Sequence, residues 1–116
     1  MHRYKQLDVW KKALELTTMI YSLTEHFSPK EKFGLIPQLN RCAVSVPSNI
    51  AEGAGRGSKK EFSHFLNIAT CSLFELETQL IIARNINYIK EDKLDKLVKN
   101  IESIVKMIYG LKKSLN

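Results

Sequence analysis

Residues 53–60, GAGRGSKK, are the stretch most able to do chemistry, because alternating glycines followed by lysines are typical of phosphate-binding loops. A Walker loop needs a Gly-Lys pair after a strand, and the sequence has no such pair. A dinucleotide fingerprint needs a third glycine where Ser58 stands. We therefore expect a connector between two helices in which a glycine closes the first helix in a left-handed cap. Arg56, Lys59 and Lys60 would lie at the positive end of the next helix, where one phosphate or carboxylate is a reasonable ligand.

The sequence contains no recognisable catalytic or metal-binding pattern. His2, His26 and His64 are scattered, and the spacing of Cys42 and Cys71 matches neither a metal site nor a redox motif. We expect both cysteines to be reduced, which favours the cytoplasm. The sequence thus predicts a protein that is not an enzyme and has no metal, cofactor or small-molecule substrate.

The charge balance favours a negatively charged partner. Eighteen Lys and Arg against twelve Asp and Glu give a formal net charge of +6, which attracts polyanions or an acidic protein without choosing between them. Lysines on the last helix are interleaved with acids, which fits either a solvated face or nonspecific contact with a nucleic acid backbone. The candidate anion-binding residues are Arg41, Arg56, Lys59, Lys60, Lys99 and Lys106.

Four segments show the three-to-four-residue apolar period of a helix. They cover residues 8–26, 37–53, 59–87 and 91 onwards, and no segment indicates a strand. Capping boxes begin at Ser28 and Ser58. The sequence therefore predicts one all-α domain over residues 1–116, an antiparallel up-down-up-down four-helix bundle. We see no signal peptide and no apolar run approaching the roughly 20 residues of a membrane span.

The predicted core follows from the same period. Helix one would bury a stripe formed by Trp10, Ala13, Leu14, Thr17, Ile20, Tyr21, Thr24 and Phe27. Helix four would bury a stripe formed by Leu94, Leu97, Val98, Ile101, Ile104, Val105, Ile108 and Leu111. Helix three would bury a heptad-spaced series. That series consists of Phe62, Leu66, Ala69, Leu73, Leu76, Leu80 and Ala83.

Helix two contains a proline, which removes one backbone hydrogen bond and crowds a preceding carbonyl. We therefore predict a kink near Pro47, with Asn49 satisfying backbone groups that the proline leaves free. Helix two also carries a polar stripe, which is either solvated or buried between subunits. This stripe consists of Arg41, Ser45, Ser48 and Glu52.

Two helices carry more apolar surface than one bundle can cover, which predicts self-association. Helix three has a second apolar seam opposite its core series, and helix one has apolar residues that flank its main stripe. The interface candidates are Leu16, Met19, Leu23, Cys71, Phe74, Ile81 and Ile82.

Residues 38–56, QLNRCAVSVPSNIAEGAGR, with the following SKKEF and FLNIATCSLFELETQL runs, resemble the four-helix-bundle proteins encoded in intervening sequences of bacterial 23S ribosomal RNA genes. LDVWKKA at residues 7–13 and FGL at residues 33–35 resemble the same family, whereas helix four is similar in pattern only. Cys71 stands where the family has a glycine, and Pro37 where a small polar residue is usual. The positions that match the family pattern are Ser45, Pro47, Asn49, Glu52, Gly53, Gly55, Arg56, Ser58, Glu61 and Glu75.

The resemblance implies a ring-like homopentamer with no catalytic residues. Related accessory proteins of diversity-generating retroelements bind a reverse transcriptase and carry a basic surface suited to nucleic acid. The partners that follow from the resemblance are further copies of this chain and RNA, DNA or a reverse-transcriptase-like protein. A scaffold without direct nucleic acid contact is the alternative.

Overall fold

The computed structural model describes residues 3–116, and within that range it has four α-helices and no strand. His2 lies outside the described residues. The helices are α1 (Asp8–Thr24), α2 (Leu35–Ala54), α3 (Lys59–Asn85) and α4 (Glu91–Ser114). Short 3-10 turns cover Tyr4–Gln6 and Pro29–Glu31.

Consecutive helices are antiparallel, because residues later in one helix contact residues earlier in the next. Thr24 lies within hydrogen-bonding distance of Asn40, and Thr17, earlier in α1, reaches Ala43, later in α2. Because α1 also contacts α4, the helices form a closed set of neighbours, an arrangement compatible with a four-helix bundle. The corresponding antiparallel pairs are Ser45 with Ser72 and Gly53 with Phe62 for α2 and α3, and Asn67 with Lys112 and Arg84 with Glu91 for α3 and α4.

The heptad-spaced core of α3 is confirmed, since all seven predicted residues are buried. The predicted face of α4 is buried at five positions and half-buried at the rest. The buried residues of α4 are Leu94, Leu97, Ile101, Ile104 and Ile108.

The predicted stripe of helix one is confirmed in part, because Ala13, Ile20, Thr24 and Phe27 are buried. The stripe is wrong at Leu14 and Tyr21, which are exposed, whereas Val9 and Leu16, outside the predicted stripe, are buried. Apolar residues surround most of α1, so its period fits two adjacent faces. Packing between α2 and α4 determines which face is buried.

Helix α2 begins at Leu35, before the predicted start at Pro37. The proline is still tolerated, because the first four N–H groups of a helix have no partner within that helix. The Leu35 N–H is instead satisfied by the Glu31 carboxylate at 3.0 Å.

Helix α2 continues through Pro47 to Ala54, and the kink at Pro47 stays a prediction. Pro47 has no N–H to donate to the Ala43 carbonyl four residues earlier. The Thr17 hydroxyl on α1 lies 3.1 Å from that oxygen and 2.8 Å from the Ala13 carbonyl oxygen. Its one proton, shared between the two acceptors, supplies the Ala43 carbonyl with the donor that we predicted from Asn49. The Asn49 amide donates instead to the Ser45 carbonyl at 2.7 Å.

The predicted left-handed glycine cap is also wrong. No glycine among the described residues has a positive φ, and Gly55 ends α2 with a φ of −82°. A Cβ added to Gly53 would lie 2.8 Å from the Phe65 Cβ and 3.0 Å from the Phe62 Cδ1. Gly53 is therefore required for the close approach of α2 to α3.

One expectation about membrane spans needs correction, because α3 contains an 18-residue window with a mean hydropathy of 1.2. Its length and composition would allow it to cross a membrane, although core helices meet the same criterion. The buried series of α3 accounts for part of this apolar character, since 28% of the window is buried inside the protein.

Candidate nucleic-acid interface

The α2–α3 connection holds Arg56 in contacts within the protein. Its guanidinium lies 3.3 Å from the Glu52 carboxylate and 3.5 Å from the Glu61 carboxylate, and 4.9 Å from the Phe65 ring centroid. Both ion pairs are about half exposed, so each contributes at most about 1 kcal/mol. Arg56 primarily ties the end of α2 to the start of α3.

The N-terminus of α3 already has an acidic side chain. Ser58 is the N-cap, and its hydroxyl accepts the Glu61 N–H at 3.1 Å, which confirms the predicted capping interaction. The Glu61 carboxylate sits in the first turn, where it compensates the helix dipole. The side chains left exposed for an external anion are Lys59 and Lys60, which take part in none of the three ion pairs of residues 3–116.

The antiparallel order gathers cations from distant parts of the sequence into one half of the molecule. We define the basic half as residues 3–15, 52–65 and 106–116, which contain the start of α1, the α2–α3 connection and the end of α4. It holds ten of the eighteen Lys and Arg but only four of the twelve Asp and Glu. The ten cations are Arg3, Lys5, Lys11, Lys12, Arg56, Lys59, Lys60, Lys106, Lys112 and Lys113.

The opposite half, residues 25–38 and 75–96, is close to neutral, with six cations and seven acids. Arg41, Lys99 and Glu102 lie near the middle of the long axis, and they add only one net positive charge. The basic half therefore carries a charge equal to the full net charge of +6, and its field is strongest for a ligand that approaches there.

The six predicted anion-binding residues do not form a single cluster. Lys99 and Lys106 line a shallow depression on α4 with Glu102. Arg41 is exposed on α2, which lies diagonally across the bundle from α4. A short ligand cannot contact Arg41 and Lys99 together. Lys59 and Lys60 are adjacent at the start of α3, whereas Lys106 lies at the edge of the basic half, beside Glu77 and Glu102.

The polar stripe predicted on α2 is split by the fold. Arg41, Ser48 and Glu52 are exposed, whereas Ser45 is half-buried and lies 2.8 Å from the Ser72 hydroxyl of α3.

Cys42 lies in the same α2–α3 contact, with its sulfur 3.0 Å from the Ser72 carbonyl oxygen and 3.7 Å from the Glu75 carboxylate. Burial and the nearby Glu75 raise the pKa of the Cys42 thiol to about 12. No group of three metal-ligating side chains occurs among residues 3–116.

The predicted interface residues fall into three classes. Phe74 is 54% exposed and Ile82 is 44% exposed, and Cys71 next to them on α3 is also exposed. Leu16 is only 1% exposed, so it belongs to the core of the protomer, and its assignment to the surface is corrected. The half-buried candidates, which pack against the core, are Met19, Leu23 and Ile81.

Sequence reasoning missed some residues of the basic half. Lys112 bonds to the Asn67 side chain across the α3–α4 seam, and Tyr109 is 64% exposed on α4. The basic residues of the N-terminal segment also belong here. The grouping could have been found from the sequence by counting the charged residues near each end of every predicted helix, on the assumption that consecutive helices are antiparallel.

Comparisons with known proteins agree with this architecture. A family model described as 23S rRNA-intervening sequence protein matches residues 5–110. A crystal structure of a protein of unknown function from the S23 ribosomal protein family of Bacteroides thetaiotaomicron VPI-5482 superimposes with a TM-score of 0.84. The two sequences are 26% identical, and the alignment covers 90% of this chain and 95% of the other. No curated protein matches the sequence.

Proposed function

Because the chain belongs to the 23S rRNA-intervening sequence protein family, we propose that it is a noncatalytic, oligomeric helical module whose basic half contacts structured RNA or a partner that processes nucleic acid. The contact is electrostatic and is made to the phosphate backbone, so it reads the charge and shape of the ligand more than its base sequence.

The observation that carries this proposal is the separation of charge along the bundle. A protein that needs charge only for solubility has no requirement to collect ten cations at three chain segments of one half. Lys59, Lys60 and Lys106 are exposed there, and they make no ion pair within residues 3–116. Phosphates can therefore approach Lys59 and Lys60 without first displacing an acidic side chain.

A salt titration tests the proposal. Binding of fluorescently labelled RNA is measured by anisotropy at increasing salt concentration. Each phosphate contact contributes about 0.7 to 0.9 to the negative slope of log affinity against log salt concentration, so a site with several contacts gives a steep line. An absence of RNA and DNA binding near physiological salt would remove direct nucleic acid contact from the function.

We further propose that the module assembles as a homopentamer through the exposed seam of α3, where Phe74 and Ile82 lie. Large exposed apolar side chains along one helix are typical of an interface. Light scattering gives 13.3 kDa for a monomer and about five times that mass for the ring. Phe74→Glu should dissociate the assembly and leave the helical content unchanged, because a carboxylate is expensive to desolvate in an apolar contact. A Phe74→Glu protein that stays fully assembled would exclude this seam.

The second candidate function is a scaffold that acts only through protein contacts, and the same exposed seam favours it. A protein without affinity for nucleic acid would still bind a reverse-transcriptase-like partner through its exposed apolar seam. A pull-down with such a partner that is insensitive to nuclease and to salt would support the scaffold function instead.

A further inference from the structure

The basic half contains an exposed aromatic side chain that the core does not use. Tyr109 on α4 is 64% exposed, and the Lys113 amine lies 5.5 Å from its ring centroid. Lys106 is one turn earlier on the same helix. Tyr109 thus stands between two lysines that are about 10 Å apart along the helix axis, at a rise of about 1.5 Å per residue.

Contacts between cations and aromatic rings concentrate in this half. Three of the four such pairs within residues 3–116 lie in the basic half: Lys5 with Tyr4, Arg56 with Phe65 and Lys113 with Tyr109. Tyr4 and Phe65 are half-buried, so Tyr109 is the member that presents most of its ring to solvent.

The fourth pair, Lys32 with Phe33, lies in the opposite half, where acids balance the cations. Phe33 is 90% exposed. It therefore provides an exposed aromatic ring without a surrounding positive field, and it is the natural control for Tyr109.

On the basis of the proposed function, we propose that the basic half binds unpaired nucleotides, with a base stacked on Tyr109 and the flanking phosphates held by Lys106 and Lys113. Every base has a π-face, and this face is accessible only where the nucleic acid is single-stranded. A ring placed between lysines combines stacking with phosphate neutralisation, which is the arrangement that single-strand-binding proteins use.

The test compares the full-length protein with Tyr109→Ala, Tyr109→Phe and Phe33→Ala variants. Anisotropy is measured with a labelled oligouridylate and with a blunt RNA duplex that has the same number of phosphates. Tyr109→Ala should weaken oligouridylate binding by about 5- to 150-fold, as expected for about 1 to 3 kcal/mol per stacked base. Duplex binding should not change, Tyr109→Phe should bind like the unmodified protein, and Phe33→Ala should have no effect.

The outcomes separate this inference from the proposed function. If neither nucleic acid binds, the proposed function fails and this inference fails with it. If both bind and Tyr109→Ala changes neither affinity, stacking is refuted while phosphate binding stands. If Tyr109→Ala lowers the mass measured by light scattering, Tyr109 belongs to a contact between subunits, and this also refutes the inference.

Discussion

Replacing Thr17 with valine should destabilise the protein through a carbonyl on another helix. The Thr17 hydroxyl lies 3.1 Å from the Ala43 carbonyl oxygen and 2.8 Å from the Ala13 carbonyl oxygen. Within its helix, the Ala13 carbonyl still has the Thr17 N–H, whereas the Ala43 carbonyl faces Pro47, which has no N–H. Valine has nearly the same shape as threonine, so Thr17→Val mainly removes the donor.

The expected loss of stability follows from the free energy that it costs to leave a buried acceptor without a hydrogen-bond donor. Ala43 is fully buried, so water cannot replace the hydroxyl without opening the packing between α1 and α2. An unsatisfied buried carbonyl lowers the free energy of unfolding by about 1 to 3 kcal/mol. Chemical denaturation in urea at a fixed protomer concentration measures this change.

The chain offers a matched control and a second variant for a double-mutant cycle. Thr18 is exposed and bonds only to the Leu14 carbonyl of its own helix, at 3.1 Å, so Thr18→Val should change stability by less than about 0.5 kcal/mol. In a Pro47→Ala background the new N–H can reach the Ala43 carbonyl, and Thr17→Val should then be less damaging by about 1 kcal/mol. Equal effects of the valine substitutions at positions 17 and 18 would refute the assigned role of Thr17.

Two further predictions concern the α2–α3 contact. Gly53→Ala should lower the free energy of unfolding by about 1 to 3 kcal/mol in urea denaturation, because its Cβ would lie 2.8 Å from the Phe65 Cβ. Gly55→Ala should be neutral or slightly stabilising, since its φ is −82°, and a larger loss there than at Gly53 would contradict the packing argument. Cys42 should resist thiol labelling at pH 9, where an ordinary thiol is largely ionised, because its pKa is raised to about 12. Rapid labelling of Cys42 in a Cys71→Ser protein would show that its burial is misassigned.

The period of the apolar residues was sufficient to predict the four helices and much of the core. In α3 the polar positions leave one continuous heptad series, and all of its members are buried. In α1 apolar residues lie on most sides, so Leu14 and Leu16 were equally compatible with the core. The positions of the neighbouring helices determine which of the two residues is buried, and the local sequence pattern carries no information about those positions.

The remaining corrections also arise from contacts between helices. Gly53 suggested a left-handed turn, but it is needed because its lack of a side chain lets Phe65 of α3 pack closely against α2. The donor for the Ala43 carbonyl comes from Thr17, far away in sequence. The candidate site was predictable in part, because Lys59 and Lys60 stand out beside the glycines. Their grouping with Lys106 depends on the antiparallel order of the helices.

The most direct test of the central claim compares two matched pairs of lysines. One double variant, Lys59→Ala with Lys60→Ala, removes two charges from the basic half. The other, Lys90→Ala with Lys93→Ala, removes two charges from the opposite half. RNA affinity and its salt dependence are measured by anisotropy for both double variants. We expect the first variant to bind more weakly, with a salt slope reduced by up to about 2, and the second to bind like the unmodified protein. Equal losses for the two variants would mean that RNA responds to net charge alone, and would contradict a binding site in the basic half.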